Sequence, residues 1–118
     1  MTSYRSLRSA FYARVAARHQ FGSDGLAHQI AALRQRMATD GVPPDPELAF
    51  VDDGYSGVSL ERPALERLRQ LVAQGCLDRL YVAAPQRLTR NTAHFVRLLD
   101  EFHRAAVDVI FVDGNASV

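Results

Sequence analysis

A chain of 118 residues with 47% hydrophobic content is the size of one domain around one core. Its net charge of +1 supplies no global basic field, so any nucleic-acid role has to come from a local patch or from a partner. No apolar run approaches membrane-spanning length, and one cysteine, Cys76, excludes an internal disulfide and fits a reducing cytoplasm.

Met1 to Arg8 carries arginines and serines without acids and has no amphipathic length, so it reads as a frayed N-terminal extension. Ser9 to Val15 reads as the first strand, with Arg14 at its carboxyl end. Ala16 to Gly22 is a loop carrying Arg18, His19 and Gln20. Ser23 or Asp24 caps a helix whose apolar face is Leu26, Ile30, Leu33 and Met37, with Gln29 off that stripe. Gly41 through Pro46 is a proline-rich, rigid connector. Leu48 to Val51 reads as a second strand, broken by Asp52-Asp53-Gly54-Tyr55-Ser56-Gly57 into a flexible loop.

Pro63 opens the second helix, where its missing N–H costs nothing, and Leu65, Leu68, Leu71 and Val72 form the buried side. Gly75 suits the C-terminal cap, and Cys76 beyond it reads as a buried packing thiol. Leu80 to Ala84 is a near-continuous apolar run, as expected of a parallel strand covered on both faces. It ends at Pro85 and hands over, through Arg87 and Arg90, to a helix capped by Asn91 or Thr92 and faced by Phe95, Leu98, Leu99 and Phe102. Val107 to Val112 is a fourth strand, and Asp113-Gly114-Asn115 turns out of it. The alternation predicts one α/β domain over the whole chain: three layers, with a mostly parallel four-stranded sheet and helices on both faces.

In this topology four arginines fall on one edge of the sheet: Arg14 after the first strand, Arg62 before the second helix, Arg87 and Arg90 after the third strand. The carboxyl edge of an open α/β sheet is where ligands bind. Guanidinium groups beside a helix N-terminus suit a phosphate or another oxyanion, which they grip through paired N–H donors. A solvated, salt-bridged surface is the alternative for any one of them.

Five pieces in order carry a resemblance: Tyr12-Ala13-Arg14-Val15; Gln29 followed by Ala31-Ala32-Leu33-Arg34; Val51-Asp52-Asp53-Gly54-Tyr55-Ser56-Gly57; Leu60-Glu61-Arg62-Pro63-Ala64-Leu65; and Arg87-Leu88-Thr89-Arg90-Asn91. From about Ala10 to Val112 the chain resembles the catalytic domain of serine recombinases, the resolvase and invertase group. The resemblance implies a flavodoxin-like sheet, no metal or nucleotide cofactor, and strand exchange on DNA. In that chemistry a serine attacks a phosphodiester and arginines stabilise the transition state. It implies that Arg14, Arg62, Arg87 and Arg90 are the active-site arginines, and that Gln29, Ser56 and Asn91 fall at positions near the DNA phosphate.

The chain departs from that pattern where the chemistry is made. The nucleophile position, directly after the Arg-Val pair, holds Ala16, and a methyl group cannot attack phosphorus. The aspartate position before Arg87 holds Gln86, which removes a carboxylate available for orientation or proton transfer. The resemblance also leads one to expect a long C-terminal helix and a DNA-binding domain, neither of which lies within Met1 to Val118. The expectation is a cleavage-deficient, degenerate recombinase domain, a remnant of a mobile element or a regulator. It would bind DNA weakly and associate with itself or with a full-length recombinase, with no membrane role. Ser23, Ser56 and His19 are substitutes for the missing groups only if their loops fold over the arginines. Two alternatives stay open: a trapped fragment of an active recombinase, and a small oxyanion- or nucleotide-binding α/β module, which would lack a GxGxxG or phosphate-loop lysine motif.

Overall fold

A computed structural model of the chain describes residues 7–16 and 25–113. The expected cap at Ser23 or Asp24, the loop with Arg18, His19 and Gln20, the N-terminal extension up to residue 6 and the turn at Gly114-Asn115 lie outside the described residues. Four strands, β1 (Ser9–Val15), β2 (Ala49–Asp53), β3 (Arg79–Val82) and β4 (Asp108–Phe111), form one sheet in the order β2-β1-β3-β4. Every neighbouring pair is parallel, so the sheet is wholly rather than mostly parallel. The helices are α1 (Leu26–Thr39), α2 (Pro63–Ala73), a single turn α3 (Pro85–Leu88) and α4 (Thr92–Arg104). Among the described residues no helix is long and apolar enough to cross a membrane.

Period-two alternation along β1 sorts its side chains onto two cores. Ala10 and Tyr12 face the layer of α2 and α4, with Leu65, Leu68, Val72, Leu98 and Phe102. Phe11 and Ala13 face α1, packing with Leu33, Met37 and Tyr81. The sheet is therefore covered on both faces, as the near-continuous apolar strands required. Each fully buried leucine in these layers contributes about 2 kcal/mol through removal of apolar surface from water.

Helix ends follow the local chemistry. Pro63 is the first residue of α2, and Gly75 adopts φ +72° just past its end, as the C-terminal signal required. The Asn91 side chain accepts the His94 N–H (3.0 Å) and starts α4. Cys76 is only half-buried, with its Sγ 3.6 Å from the Gln74 carbonyl, because the turn after Gly75 runs along the surface.

Several boundaries differ from the expectation. A 3₁₀ turn at Pro46–Leu48, capped by the Asp45 carboxylate on the Glu47 N–H, precedes β2, so Leu48 belongs to the turn and the strand runs on through Asp52 and Asp53. β3 is Arg79–Val82 rather than Leu80 to Ala84, and β4 is Asp108–Phe111 rather than Val107 to Val112. The chain does not pass directly from β3 to a long helix: Pro85 nucleates the α3 turn first. That turn matters for the site, because β1 extends past β3. The register of β1 on β3 ends at Tyr12↔Val82, whereas that of β1 on β2 continues to Val15↔Asp53. Arg14 thus lies beyond the end of β3, with α3 beside it.

Candidate oxyanion site at the carboxyl edge

Where β3 stops, the backbone of Arg14 still needs partners. The Gln29 side chain supplies both: its Oε1 accepts the Arg14 N–H (3.0 Å) and its Nε2 donates to the Arg14 carbonyl (3.1 Å). This amide imitates a neighbouring strand. It corrects the placement of Gln29 off the buried stripe, since the residue is buried on the inner face of α1.

Arg14 is 1% exposed and its side chain is tied to carbonyls of α3 and of the loop after β2. Nε donates to Arg87 (3.0 Å), Nη1 to Tyr55 (3.0 Å) and Nη2 to Gln86 (2.7 Å). Burial above all, then the like charges of Arg62, Arg87 and Arg90, hold its pKa below the ordinary arginine value, with Tyr12 acting the other way. Arg14 therefore lies within reach of the charges of Arg62, Arg87 and Arg90 at this edge.

Arg62, also 1% exposed, is the N-cap residue of α2. Its Nε donates to the Ser59 carbonyl (2.8 Å) and its Nη1 to the Tyr12 hydroxyl (3.0 Å). Its Cζ also lies 5.9 Å from the centroid of the Tyr12 ring. Nη2 is buried with no hydrogen-bond partner among the described residues. A buried charged donor left open is costly unless an oxygen meets it. Tyr12 in turn donates to Asp52 Oδ2 (2.8 Å), while Asp52 Oδ1 and Oδ2 accept the Ala64 and Leu65 N–H groups at the start of α2 (2.8 and 3.0 Å). Burial raises the Tyr12 pKa well above its ordinary 10.0, Arg62 opposes this, and the hydrogen bond to Asp52 adds to the rise. The phenol stays neutral and links carboxylate to guanidinium.

The loop after β2 is held rather than flexible. The Gly54 and Tyr55 N–H groups both donate to the Val15 carbonyl (2.9 and 3.1 Å). The Gly57 carbonyl accepts from Thr89 Oγ1 (2.9 Å) and from the Arg90 N–H (2.8 Å). Gly57 is the residue that lets this loop close, because a Cβ there would lie 2.6 Å from Arg14 Nη2 and 2.7 Å from Arg90 Cγ. Gly57→Ala is expected to lower stability by about 2 kcal/mol, read as a loss in thermal denaturation.

The other expected site residues fall as follows. Ala16 is exposed, one residue past β1. Arg87 is half-buried, its Nη1 3.5 Å from the Arg14 carbonyl, and Arg90 is exposed. Gln86 has an exposed side chain and joins the cluster through its carbonyl. Ser56 Oγ accepts the Val58 N–H (3.1 Å) within its own loop, and Asn91 caps α4, so both contact backbone. Tyr12, Asp52, Gly57 and Thr89 were missed. Phe50 and Asp52 at spacing two are the one signal that could have placed Asp52 inside a strand.

A wholly parallel, three-layer α/β domain with buried arginines gathered at its carboxyl edge is the class these elements define. Residues 9–117 match the family described as the resolvase N-terminal domain, and the chain belongs to that family of serine recombinase catalytic domains. Over 107 residues, 90% of its length, it is 33% identical to a Bacillus subtilis (strain 168) protein named as a DNA recombinase, and it spans 20% of that protein. It superposes on the N-terminal catalytic domain of TP901-1 integrase with a TM-score of 0.82 at 28% identity, covering 90% of this chain and 78% of that one. The C-terminal catalytic domain of ISC1926 TnpA, an IS607-like serine recombinase, matches at TM-score 0.80 and 26% identity, over 95% of this chain and 71% of that one. A resolvase family site-specific recombinase from Streptococcus pneumoniae shares the fold at TM-score 0.78 and 20% identity, over 95% of this chain and 76% of that one.

Proposed function

We propose that the domain holds a DNA phosphodiester at the arginine cluster without cleaving it. The observation that carries this reading is the gathering of Arg14, Arg62, Arg87 and Arg90 within electrostatic reach of one another at the edge where β1 ends beside residue 16. Like charges brought together under partial burial repel and lose hydration, and a polyanion relieves both costs.

In the recombinase reaction such a cluster would stabilise the extra negative charge that develops as phosphorus becomes five-coordinate. The attacking oxygen is what this chain lacks. Ala16 stands at the nucleophile position, and Gln86, neutral, stands where the resemblance implies a carboxylate. Positioning and charge stabilisation remain, and bond formation does not. The role is then a binding or regulatory one, with DNA and a recombinase-type partner as the molecules it meets.

Incubation with supercoiled DNA, quenched under denaturing conditions, tests this. No covalent protein–DNA adduct and no nicked product are expected. Ala16→Ser alone is expected to remain inactive, and the double change Ala16→Ser with Gln86→Asp is the better candidate for restored cleavage. An adduct formed by the unaltered chain would refute the loss of activity.

A further inference from the structure

Among the described residues, two of the four large exposed hydrophobic side chains stand on one short loop: Tyr55 at 37% and Val58 at 61% exposure. That loop is among the most firmly tied segments of the carboxyl edge. It is bonded to the end of β1 through Gly54 and Tyr55, to Arg14 through the Tyr55 carbonyl, to Thr89 and Arg90 just past α3 through the Gly57 carbonyl, and to Arg62 through the Ser59 carbonyl. Internal bonds from the Val58 N–H to Ser56 Oγ and from the Glu61 N–H to Ser59 Oγ stiffen it further. A backbone held this way does not have to be ordered anew when something covers these side chains, which lowers the entropy cost of contact.

Their position says what covers them. Gly57, between Tyr55 and Val58, packs against the Arg14 guanidinium and the Arg90 stem. The acidic residues of the loop, Asp53 and Glu61, sit at its two ends, and the stretch from Gly54 to Leu60 carries no carboxylate. An apolar pair set directly among arginines is complementary to a polyanion whose phosphates flank sugar and base surfaces, and apolar side chains contact DNA in this way. We infer that Tyr55 and Val58 form a rigid apolar contact with duplex DNA beside the phosphate gripped by the arginines. This rests on the proposed phosphodiester site. Arginines hold the backbone, and Tyr55 and Val58 cover the adjoining sugar or base edge.

The test compares salt dependence. Binding of the full chain to a fluorescein-labelled duplex is followed by anisotropy across a salt series, for the parent, Tyr55→Ala, Val58→Ser and Arg87→Gln. Neutralised phosphates set the slope of log affinity against log salt, and apolar contacts do not. Tyr55→Ala is expected to weaken binding about tenfold with an unchanged slope, and Val58→Ser about threefold. Arg87→Gln is expected to lower the slope by about one. Normal binding by Tyr55→Ala and Val58→Ser, alongside a flattened slope for Arg87→Gln, overturns this inference alone. No binding by the parent at low salt, or an unaltered slope in Arg87→Gln, overturns the phosphodiester reading and this one with it. If the two loop variants bind DNA normally but lose concentration-dependent self-association in sedimentation, the patch is an interface between copies of the chain, which also overturns it. Unchanged circular dichroism and melting in the loop variants are required for each comparison, and their exposed side chains leave the core untouched.

Discussion

Asp52→Ala is expected to lower the stability of the domain by about 4 kcal/mol, measured by urea denaturation. Asp52 is the only carboxylate buried among the described residues, and it is 1% exposed. Its two oxygens accept three hydrogen bonds, from the Tyr12 hydroxyl and from the Ala64 and Leu65 N–H groups. Alanine would leave two N–H groups of the first turn of α2 buried and unpaired. It would also remove the negative charge that the positive end of that helix favours. Arg62 would then keep a buried positive charge with the neutral Tyr12 hydroxyl and the Ser59 carbonyl as its partners. Asp52→Asn preserves the volume and one acceptor but turns an NH2 toward a donor, and about 2 kcal/mol is expected. A loss below about 1 kcal/mol in Asp52→Ala would mean that α2 is held by its apolar face alone.

Arg14→Ala is expected to cost about 3 kcal/mol, with a local signature. The guanidinium joins the Tyr55 loop to α3 through three carbonyls, and no apolar replacement reproduces that bridge. Part of the loss is offset because a desolvated charge beside three like charges is removed. Amide hydrogen exchange separates the two effects. Protection of the Arg90 N–H, bonded across this junction to the Gly57 carbonyl, should fall further than protection of the β3 and β4 ladder. Uniform loss across all strands would contradict a bridging role.

Why the arginine edge was legible, and its wiring was not, follows from particular residues. β1 was readable because Phe11, Tyr12 and Val15 concentrate strand-forming residues there, and Pro63 and Asn91 marked helix starts by their own chemistry. Parallel topology then brings all carboxyl ends to one edge, so the gathering of Arg14, Arg62, Arg87 and Arg90 follows from connectivity. Asp52 was hidden because a carboxylate in an apolar run reads as the end of the strand, and its partners lie 12 and 13 residues on, in α2, and 40 residues back, in Tyr12. The resemblance placed Gln29 near the site, but its burial and its pairing with the Arg14 backbone were hidden, because a polar residue off the apolar stripe reads as solvent-facing. α3 is four residues long, too short to show any period. The loop from Gly54 to Gly57 looked flexible because glycine and serine are turn formers. Its rigidity comes from carbonyls, which every residue has and no sequence advertises.

The most direct measurement of the arginine cluster as a phosphodiester site is the side-chain Nε–Hε spectrum of arginine, recorded while a short DNA duplex is added. The expected result is that the signals of Arg14, Arg62, Arg87 and Arg90 shift together and saturate at one concentration. Shifts confined to the outward-facing Arg34, Arg67, Arg97 and Arg104, with the buried pair Arg14 and Arg62 unmoved, would contradict it.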